Sequence, residues 1–269
     1  MKQLVAGLLL CCTALQAPAA DLPRPDHILV VIEENKSFSQ IIGNPDAPYI
    51  NALAQRGALF TNAHGVTHPS QPNYLALFNG TTRGISSNTC PLDLSGENLA
   101  SVLLASGLSF ISYSESMPRA GYEGCRYGSY MRKHNPAANW EELKSVNQPL
   151  TAWPQDLSKL PTVSWVIPDQ RNDMHDGSIA QGDAWLKRNI ESYAEWAMDN
   201  NSLLIVTFDE DNGAEGNRVV TLFVGPMVKP GQYAQRIDHY NVLRTILQMH
   251  GLPGINESAR AESIGKVWR

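Results

Sequence analysis

The sequence has few charged residues, few cysteines and no basic excess. Charged residues make up 17% of the 269 positions, and 21 Lys and Arg stand against 26 Asp and Glu, for a formal charge of −5. Nucleic-acid-binding proteins normally carry a basic surface that neutralises phosphates, so this balance argues against that class. With 43% hydrophobic residues, the chain has enough apolar side chains to fill a core, which argues against extensive disorder.

Several well-known enzyme motifs are also missing. The chain has no GxSxG, GxGxxG, GxxxxGK[ST] or HExxH pattern, so the usual motifs of serine esterases, dinucleotide-binding proteins, P-loop proteins and zinc peptidases are absent. No apolar run reaches the roughly 20 residues that a membrane-spanning helix needs, which predicts no transmembrane segment.

The first nineteen residues are typical of a cleaved export signal. A basic start at Lys2 precedes an apolar run from Leu4 to Leu15, and a small-x-small site lies at Ala17–Ala19. We therefore expect a signal peptide over residues 1–19 and a secreted or periplasmic mature chain. A lipid anchor on Cys11 or Cys12 is disfavoured because the residue before each is bulky.

Two cysteines, Cys90 and Cys125, lie beyond this signal. In an oxidising compartment an even pair favours a disulfide. A metal site is the weaker interpretation, because neither cysteine has a second cysteine or a histidine at ligand spacing.

Nearly continuous apolar runs of strand length recur along the chain and alternate with helical patterns. Such runs are typical of strands buried on both faces, and the alternation predicts a three-layer α/β/α sandwich with a mostly parallel sheet. We expect one domain over residues 20–269, with an insertion or cap at about 82–160. The predicted strands are His27–Ile32, Leu108–Tyr113, Thr162–Ile167, Leu203–Phe208 and Val219–Val224, and the predicted helices are Pro48–Arg56, Asn98–Ser106, Ile179–Asp199 and His239–His250.

Acidic residues follow three of the predicted strands. In open α/β sheets ligands bind beyond the carboxyl ends of the strands, so these side chains should meet at one edge. Gathered carboxylates repel one another unless a cation lies among them, which predicts a divalent metal. Loop capping by Asp and Asn is the alternative for any one cluster. The clusters are Glu33-Glu34-Asn35, Asp169 with Asn172-Asp173-Met174-His175-Asp176, and Asp209-Glu210-Asp211-Asn212.

The segment Thr67–Tyr74 predicts a nucleophile. Ser70 lies between two prolines, and Pro72 is well placed near the start of a helix. A hydroxyl at a helix N-terminus faces unpaired N–H groups that stabilise an alkoxide or a bound phosphate. A simple N-cap serine is the other interpretation.

Five segments together resemble the bacterial phosphoesterase family of acid phosphatases and phospholipases C, within the alkaline phosphatase superfamily. They span nearly the whole mature chain in the family's order, and Pro72-Asn73 with Leu77–Gly80 is similar to the nucleophile segment of nucleotide pyrophosphatases. The five segments are Ile32–Phe38, Asn172–Asp176, Gly182–Leu186, Thr207–Glu210 and His239–Ile246.

The resemblance implies an alkaline-phosphatase-like fold and a role for each matching residue. It places Ser70 as nucleophile, Glu34 and Asn35 as first-strand metal ligands, and Asp209 with Glu210 as a second acidic pair. Many superfamily members have Asp-His or Asp-Asp at this pair, so the glutamate at position 210 leaves open whether Glu210 or Asp211 turns inward. Asp169, Asp173 and His175 would complete a second metal site or face the phosphate, and His239 would be a ligand or a phosphate contact. Asn73 and His68 are candidate substrate-binding residues, although His68 is equally consistent with a surface position.

The resemblance also implies a reaction. The expected activity is hydrolysis of phosphate monoesters, from small molecules or lipid head groups such as phosphoinositides, through a phosphoseryl intermediate, with His175 or His239 as proton donor. Oxygen ligands favour Mg²⁺, Ca²⁺ or Mn²⁺, and histidine would favour Zn²⁺ or iron. The alternatives are a phospholipase C, a non-catalytic phosphate-binding protein and a metal-free serine esterase.

One basic cluster carries no clear role in the sequence. His134 lies beside Arg132 and Lys133 in the expected insertion, together with Arg126. The cluster could receive an anionic head group, but the pattern favours a solvated surface.

Overall fold

A computed structural model describes residues 22–269. The predicted signal peptide, with Cys11 and Cys12, lies outside the described residues. The strands are β1 (His27–Glu33), β2 (Ala58–His64), β3 (Phe110–Ser114), β4 (Arg126–Tyr127), β5 (Tyr130–Met131), β6 (Asn147–Pro149), β7 (Val163–Ile167), β8 (Ser202–Phe208), β9 (Arg218–Val224), β10 (Gly231–Tyr233) and β11 (Ile237–Asp238). The α-helices are α1 (Phe38–Ile41), α2 (Pro48–Arg56), α3 (Ser70–Asn79), α4 (Leu99–Ala105), α5 (Ile179–Asp199) and α6 (His239–Met249).

The central sheet is mixed but mostly parallel. Its strand order is β10-β2-β9-β8-β1-β7-β3-β6, with β11 also paired to β2. The strands from β8 through β1, β7 and β3 to β6 are parallel, whereas β9 runs antiparallel to both β8 and β2. All seven residues of β8 are buried, so both faces of the sheet centre are covered. Helix α2 packs against α5, and α3 packs against α6. The predicted α/β sandwich is confirmed.

Local sequence explains where the longer helices begin and end. The side chain of Ser178 accepts a hydrogen bond from the backbone N–H of Gln181 and caps α5, and Asp238 caps α6 in the same way. Helix α3 ends at Gly80, which has a φ of 73°, a conformation that glycine adopts without steric cost. The predicted bounds of α2 and α5 agree with the structure to the residue.

Strand β2 was missed by the sequence analysis. Its apolar run stops after Ala58-Leu59-Phe60, and its pairing with β9 shifts register between Phe60 and Ala63. Because β2 is antiparallel to β9, and β9 is antiparallel to β8, β2 points the same way as β8. The chain leaving β2 therefore reaches the same sheet edge as the predicted acidic clusters.

Residues 82–160 contribute both to the sheet and to structure outside it. They supply β3 and β6, the separate hairpin of β4 and β5, and several short 3₁₀ helices. The predicted disulfide between Cys90 and Cys125 is formed, with the two Cα atoms 5.8 Å apart. No helix among residues 22–269 is long and apolar enough to cross a membrane.

Candidate active site

Residues from three strand ends meet around the hydroxyl of Ser70. The Ser70 Oγ atom lies 3.0 Å from Glu34 Oε2, which follows β1, and 3.1 Å from Glu210 Oε1, which follows β8. Ser70 opens α3 at the end of the loop that leaves β2, and its side chain is directed at the two carboxylates rather than at helix N–H groups. All three residues are buried, with 4% exposure or less. The structure therefore brings together side chains that are distant in the sequence, as predicted.

The charges around Ser70 fit a bound cation. A serine hydroxyl has one proton and can donate it to one carboxylate only, so the second short O···O contact requires either a protonated carboxyl group or a cation. A third buried carboxylate, Asp209, lies close by: its Oδ1 accepts a hydrogen bond from Asn35 N at 3.2 Å. Its Oδ2 is buried with no hydrogen-bond partner among residues 22–269. A divalent metal ion would neutralise these three carboxylates and would coordinate the Asp209 oxygen that has no hydrogen-bond partner.

Burial and repulsion set the protonation of this cluster. Burial, together with the charges of Glu34 and Glu210, raises the pKa of Asp209 well above its ordinary value. Burial and the Glu34 charge also raise the pKa of Glu210. Both shifts express the cost of holding like charges together without a counter-ion.

Glu210, rather than Asp211, faces Ser70. The Asp211 carboxylate instead accepts hydrogen bonds from the backbone N–H groups of Gly213, Glu215 and Asn217. These hydrogen bonds stabilise the loop after β8. Glu210, and not Asp211, is therefore the residue that turns toward the site.

His134 is a site residue that the sequence analysis missed. It is 1% exposed, and its ring nitrogens lie 2.9 Å from Glu34 Oε1 and 3.1 Å from Asp173 Oδ2. Burial would lower the pKa of His134, but the two carboxylates raise it to about 9. In return, the pKa of Glu34, which burial alone would raise, is lowered to about 2. The ring also stacks on Tyr74, with centroids 5.1 Å apart.

The predicted surface position of the basic cluster was therefore wrong for three of its members. Arg132, Lys133 and His134 form a short 3₁₀ helix and are all buried. No local pattern in the sequence signals this burial, because the carboxylates that pair with His134 lie on other segments of the chain.

His175 lies beside this group. Its Nε2 is 3.1 Å from the Lys133 ammonium, and its Nδ1 is 2.7 Å from Asp176 Oδ1. One ligand atom from each of Glu34, His134 and His175 falls within 4.8 Å of the others, so this triad could also hold a metal ion. Each nitrogen of His134, however, faces a carboxylate, so a metal bound to the ring would displace its contact with Glu34 or with Asp173.

Asn73 and His68 lie beside Glu210, which contacts the nucleophile. Asn73 is 1% exposed, and its Oδ1 accepts hydrogen bonds from the backbone N–H groups of Val66 and Thr67. Its Nδ2 lies 3.5 Å from Glu210 Oε2. His68 Nδ1 is 2.7 Å from the same Glu210 oxygen, and 47% of the His68 side chain is exposed. Asn73 thus fixes the loop before Ser70, while His68 borders the site at the surface.

The remaining predicted residues make different contacts. Asp169 accepts hydrogen bonds from Ser116 Oγ at 2.7 Å and from Arg171 N at 3.0 Å, which occupies both carboxylate oxygens. His239 is 1% exposed, and its Nε2 lies 2.6 Å from the backbone oxygen of Asp209. Burial lowers the pKa of His239, so a neutral ring donates to this carbonyl and holds the Asp209 backbone in place.

The chain belongs to the Phosphoesterase family. The family model matches residues 44–253, which confirms the resemblance predicted from the motifs. The structure also superimposes on a protein of the alkaline phosphatase superfamily from Vibrio parahaemolyticus, with a TM-score of 0.65, 12% identity, and coverage of 94% of this chain and 72% of that one. A phosphonate monoester hydrolase from Silicibacter pomeroyi has a TM-score of 0.59 at 12% identity, covering 89% and 76%. These two likenesses establish the fold.

Curated relatives are more similar in sequence. A phosphatidylinositol-3-phosphatase from Mycobacterium tuberculosis is 48% identical over 254 residues, which cover 93% of this chain and 85% of that protein. An acid phosphatase from Aspergillus fumigatus is 30% identical over 227 residues, which cover 76% of this chain and 50% of that protein. The chain thus spans most of the length of the mycobacterial relative and about half of the fungal one.

Proposed function

We propose that this protein is a metal-dependent phosphomonoesterase of the acid phosphatase type, with Ser70 as nucleophile. The observation that carries the proposal is the position of Ser70 Oγ between the oxygens of Glu34 and Glu210, at 3.0 and 3.1 Å. A buried serine flanked by carboxylates has a base within hydrogen-bond distance of its proton. The named activities of the mycobacterial and fungal relatives support the same reaction class.

Glu34, Asp209 and Glu210, with Asn35 beside them, are the residues that would hold the metal. A divalent ion there would withdraw charge from the phosphoryl group and favour the alkoxide form of Ser70. Oxygen donors favour Mg²⁺, Ca²⁺ or Mn²⁺ over softer ions.

The chain's own residues supply the remaining steps. Ser70 Oγ attacks phosphorus as its proton passes to a neighbouring carboxylate, and the alcohol leaves with a proton from a histidine. His175 suits this role because 28% of its side chain is exposed, whereas His134 and His239 are buried. Water then attacks phosphorus and gives a proton to the histidine, while the bond between phosphorus and Ser70 Oγ breaks and the carboxylate returns its proton to Ser70.

The finer assignments follow from the relatives and from the sequence. The 48% identity to a phosphatidylinositol-3-phosphatase favours phosphorylated inositol lipids among the substrates. The predicted signal over residues 1–19 and the disulfide favour an exported protein. A phospholipase C activity is not favoured, since the curated relatives named above are phosphatases.

Trapping of the phosphoserine tests the proposal. Mature protein is mixed with p-nitrophenyl phosphate, quenched in acid within the first turnover, and digested for mass spectrometry. We expect phosphate on Ser70, inorganic phosphate as product, and loss of both in Ser70→Ala. The matched control is Ser106→Ala, since Ser106 is exposed at the end of α4. Normal turnover by Ser70→Ala would refute the assignment.

A further inference from the structure

Lys133 is a buried cation without a direct ion pair to a carboxylate among the described residues. The residue is 8% exposed, and the polar contact of its ammonium is with His175 Nε2 at 3.1 Å. Within residues 22–269, no carboxylate oxygen lies within 4.0 Å of its Nζ. Burying an ammonium without a counter-ion costs free energy unless another group compensates it. An anion bound beside Lys133 would provide that compensation.

The contacts of the two neighbouring residues, Arg132 and His134, hold the Lys133 side chain beside the site. Its neighbour Arg132 points the other way, where the guanidinium donates to the backbone oxygens of Glu123 and Leu92. The Arg132 backbone N–H donates to Cys125 O at 3.0 Å, next to the disulfide. His134, the following residue, contacts Glu34. Lys133 is thus held between an anchored residue and a residue of the active site.

The contact with His175 favours an anion over a second metal at this place. An ammonium can only donate hydrogen bonds, so His175 Nε2 accepts from Lys133, and the ring proton lies on Nδ1, toward Asp176. A metal ion bound to that same Nε2 would have to displace the ammonium or remain beside it as a like charge. A phosphoryl oxygen, by contrast, is attracted to the ammonium and can accept a hydrogen bond from it.

We propose that Lys133 binds a non-bridging oxygen of the substrate's phosphoryl group. The inference rests on the proposed phosphomonoesterase function and adds a substrate-binding residue to it. A dianionic monoester would place negative charge beside the ammonium. With the ammonium bound to the phosphoryl oxygen, His175 Nε2 is free to take up the proton that it donates to the leaving group.

Binding of inorganic phosphate tests this role independently of turnover. Isothermal titration with phosphate is run on metal-loaded wild type, Lys133→Met, Lys133→Arg and the control Lys159→Met. Lys159 is exposed and precedes β7, at the sheet edge opposite the site. We expect Lys133→Met to bind phosphate about 10- to 100-fold more weakly, the range of one charge-assisted hydrogen bond. Lys133→Arg should recover part of the affinity, and Lys159→Met should match wild type.

Steady-state kinetics and thermal unfolding separate the alternatives. The proposal predicts a higher KM for p-nitrophenyl phosphate in Lys133→Met, with a melting temperature within the range of the control. A fall in kcat with unchanged phosphate affinity would show that Lys133 acts only by positioning His175, and would overturn the proposal. Unchanged affinity and unchanged kinetics would also overturn it while leaving the phosphatase assignment intact. Wild type that neither binds nor releases phosphate would refute the proposed function and the Lys133 assignment together.

Discussion

Replacing His134 with glutamine tests whether the buried ion pair is as important as its geometry indicates. The substitution removes the imidazolium that lies 2.9 Å from Glu34 and 3.1 Å from Asp173. Breaking a buried ion pair costs about 3–5 kcal/mol, because the remaining charge is left without a partner. With a urea m-value of about 3 kcal/mol/M, the unfolding midpoint should fall by about 1–1.5 M.

The assay is urea unfolding followed by tryptophan fluorescence, in one buffer with one divalent ion for all variants. His64→Gln is the control, because His64 is only partly buried and its hydrogen bonds are to Gly216 O and Asn62 Oδ1; it should cost about 1 kcal/mol. The double variant His134→Gln/Asp173→Asn should lose less free energy of unfolding than the two single changes added together. An unchanged midpoint in His134→Gln, or strict additivity in the double variant, would refute the reasoning.

Two further predictions concern stability. Replacing both Cys90 and Cys125 with alanine should lower the free energy of unfolding by about 4 kcal/mol, which is the loop-entropy value for a separation of 35 residues. Equal urea midpoints with and without the disulfide would contradict this prediction. Burial, together with the nearby Arg24, lowers the pKa of His250 from 6.5 to about 4. Unfolding therefore takes up a proton at this residue below pH 6.5, and His250 alone should contribute a loss of about 2–3 kcal/mol between pH 6.5 and 4. In His250→Leu this loss, measured by urea unfolding at several pH values, should be smaller; an identical pH dependence would count against it.

Much of the fold could be predicted because its signals are local. The buried strands appear as apolar runs, and helix α5 shows a single apolar face that ends near Asp199. The predicted roles of Glu34 and Asp209 followed from the rule about strand ends and the family motifs, and that of Ser70 from the helix N-terminus and the family motifs. The contact of Ser70 with Glu34 and Glu210 joins segments that these local signals had singled out separately.

The parts that could not be predicted depend on tertiary contacts. Strand β2 has a short apolar run and a register shift, so its pairing with β9 defines it more than its own composition does. His134 and Lys133 look like a solvated basic cluster in sequence, and only their contacts with Glu34, Asp173 and His175 reveal their burial. The burial that lowers the pKa of His250 at the end of α6 likewise depends on tertiary contacts.

The central claim is that carboxylates from separate strands hold a divalent cation beside Ser70. The most direct test is the rate of phosphate release from p-nitrophenyl phosphate after the mature protein is treated with a chelator and dialysed, with Mg²⁺, Ca²⁺, Mn²⁺ and Zn²⁺ restored one at a time. We expect release to stop on chelation and to return with at least one ion in wild type, but not in Asp209→Asn. Full activity in the chelated protein would contradict the account.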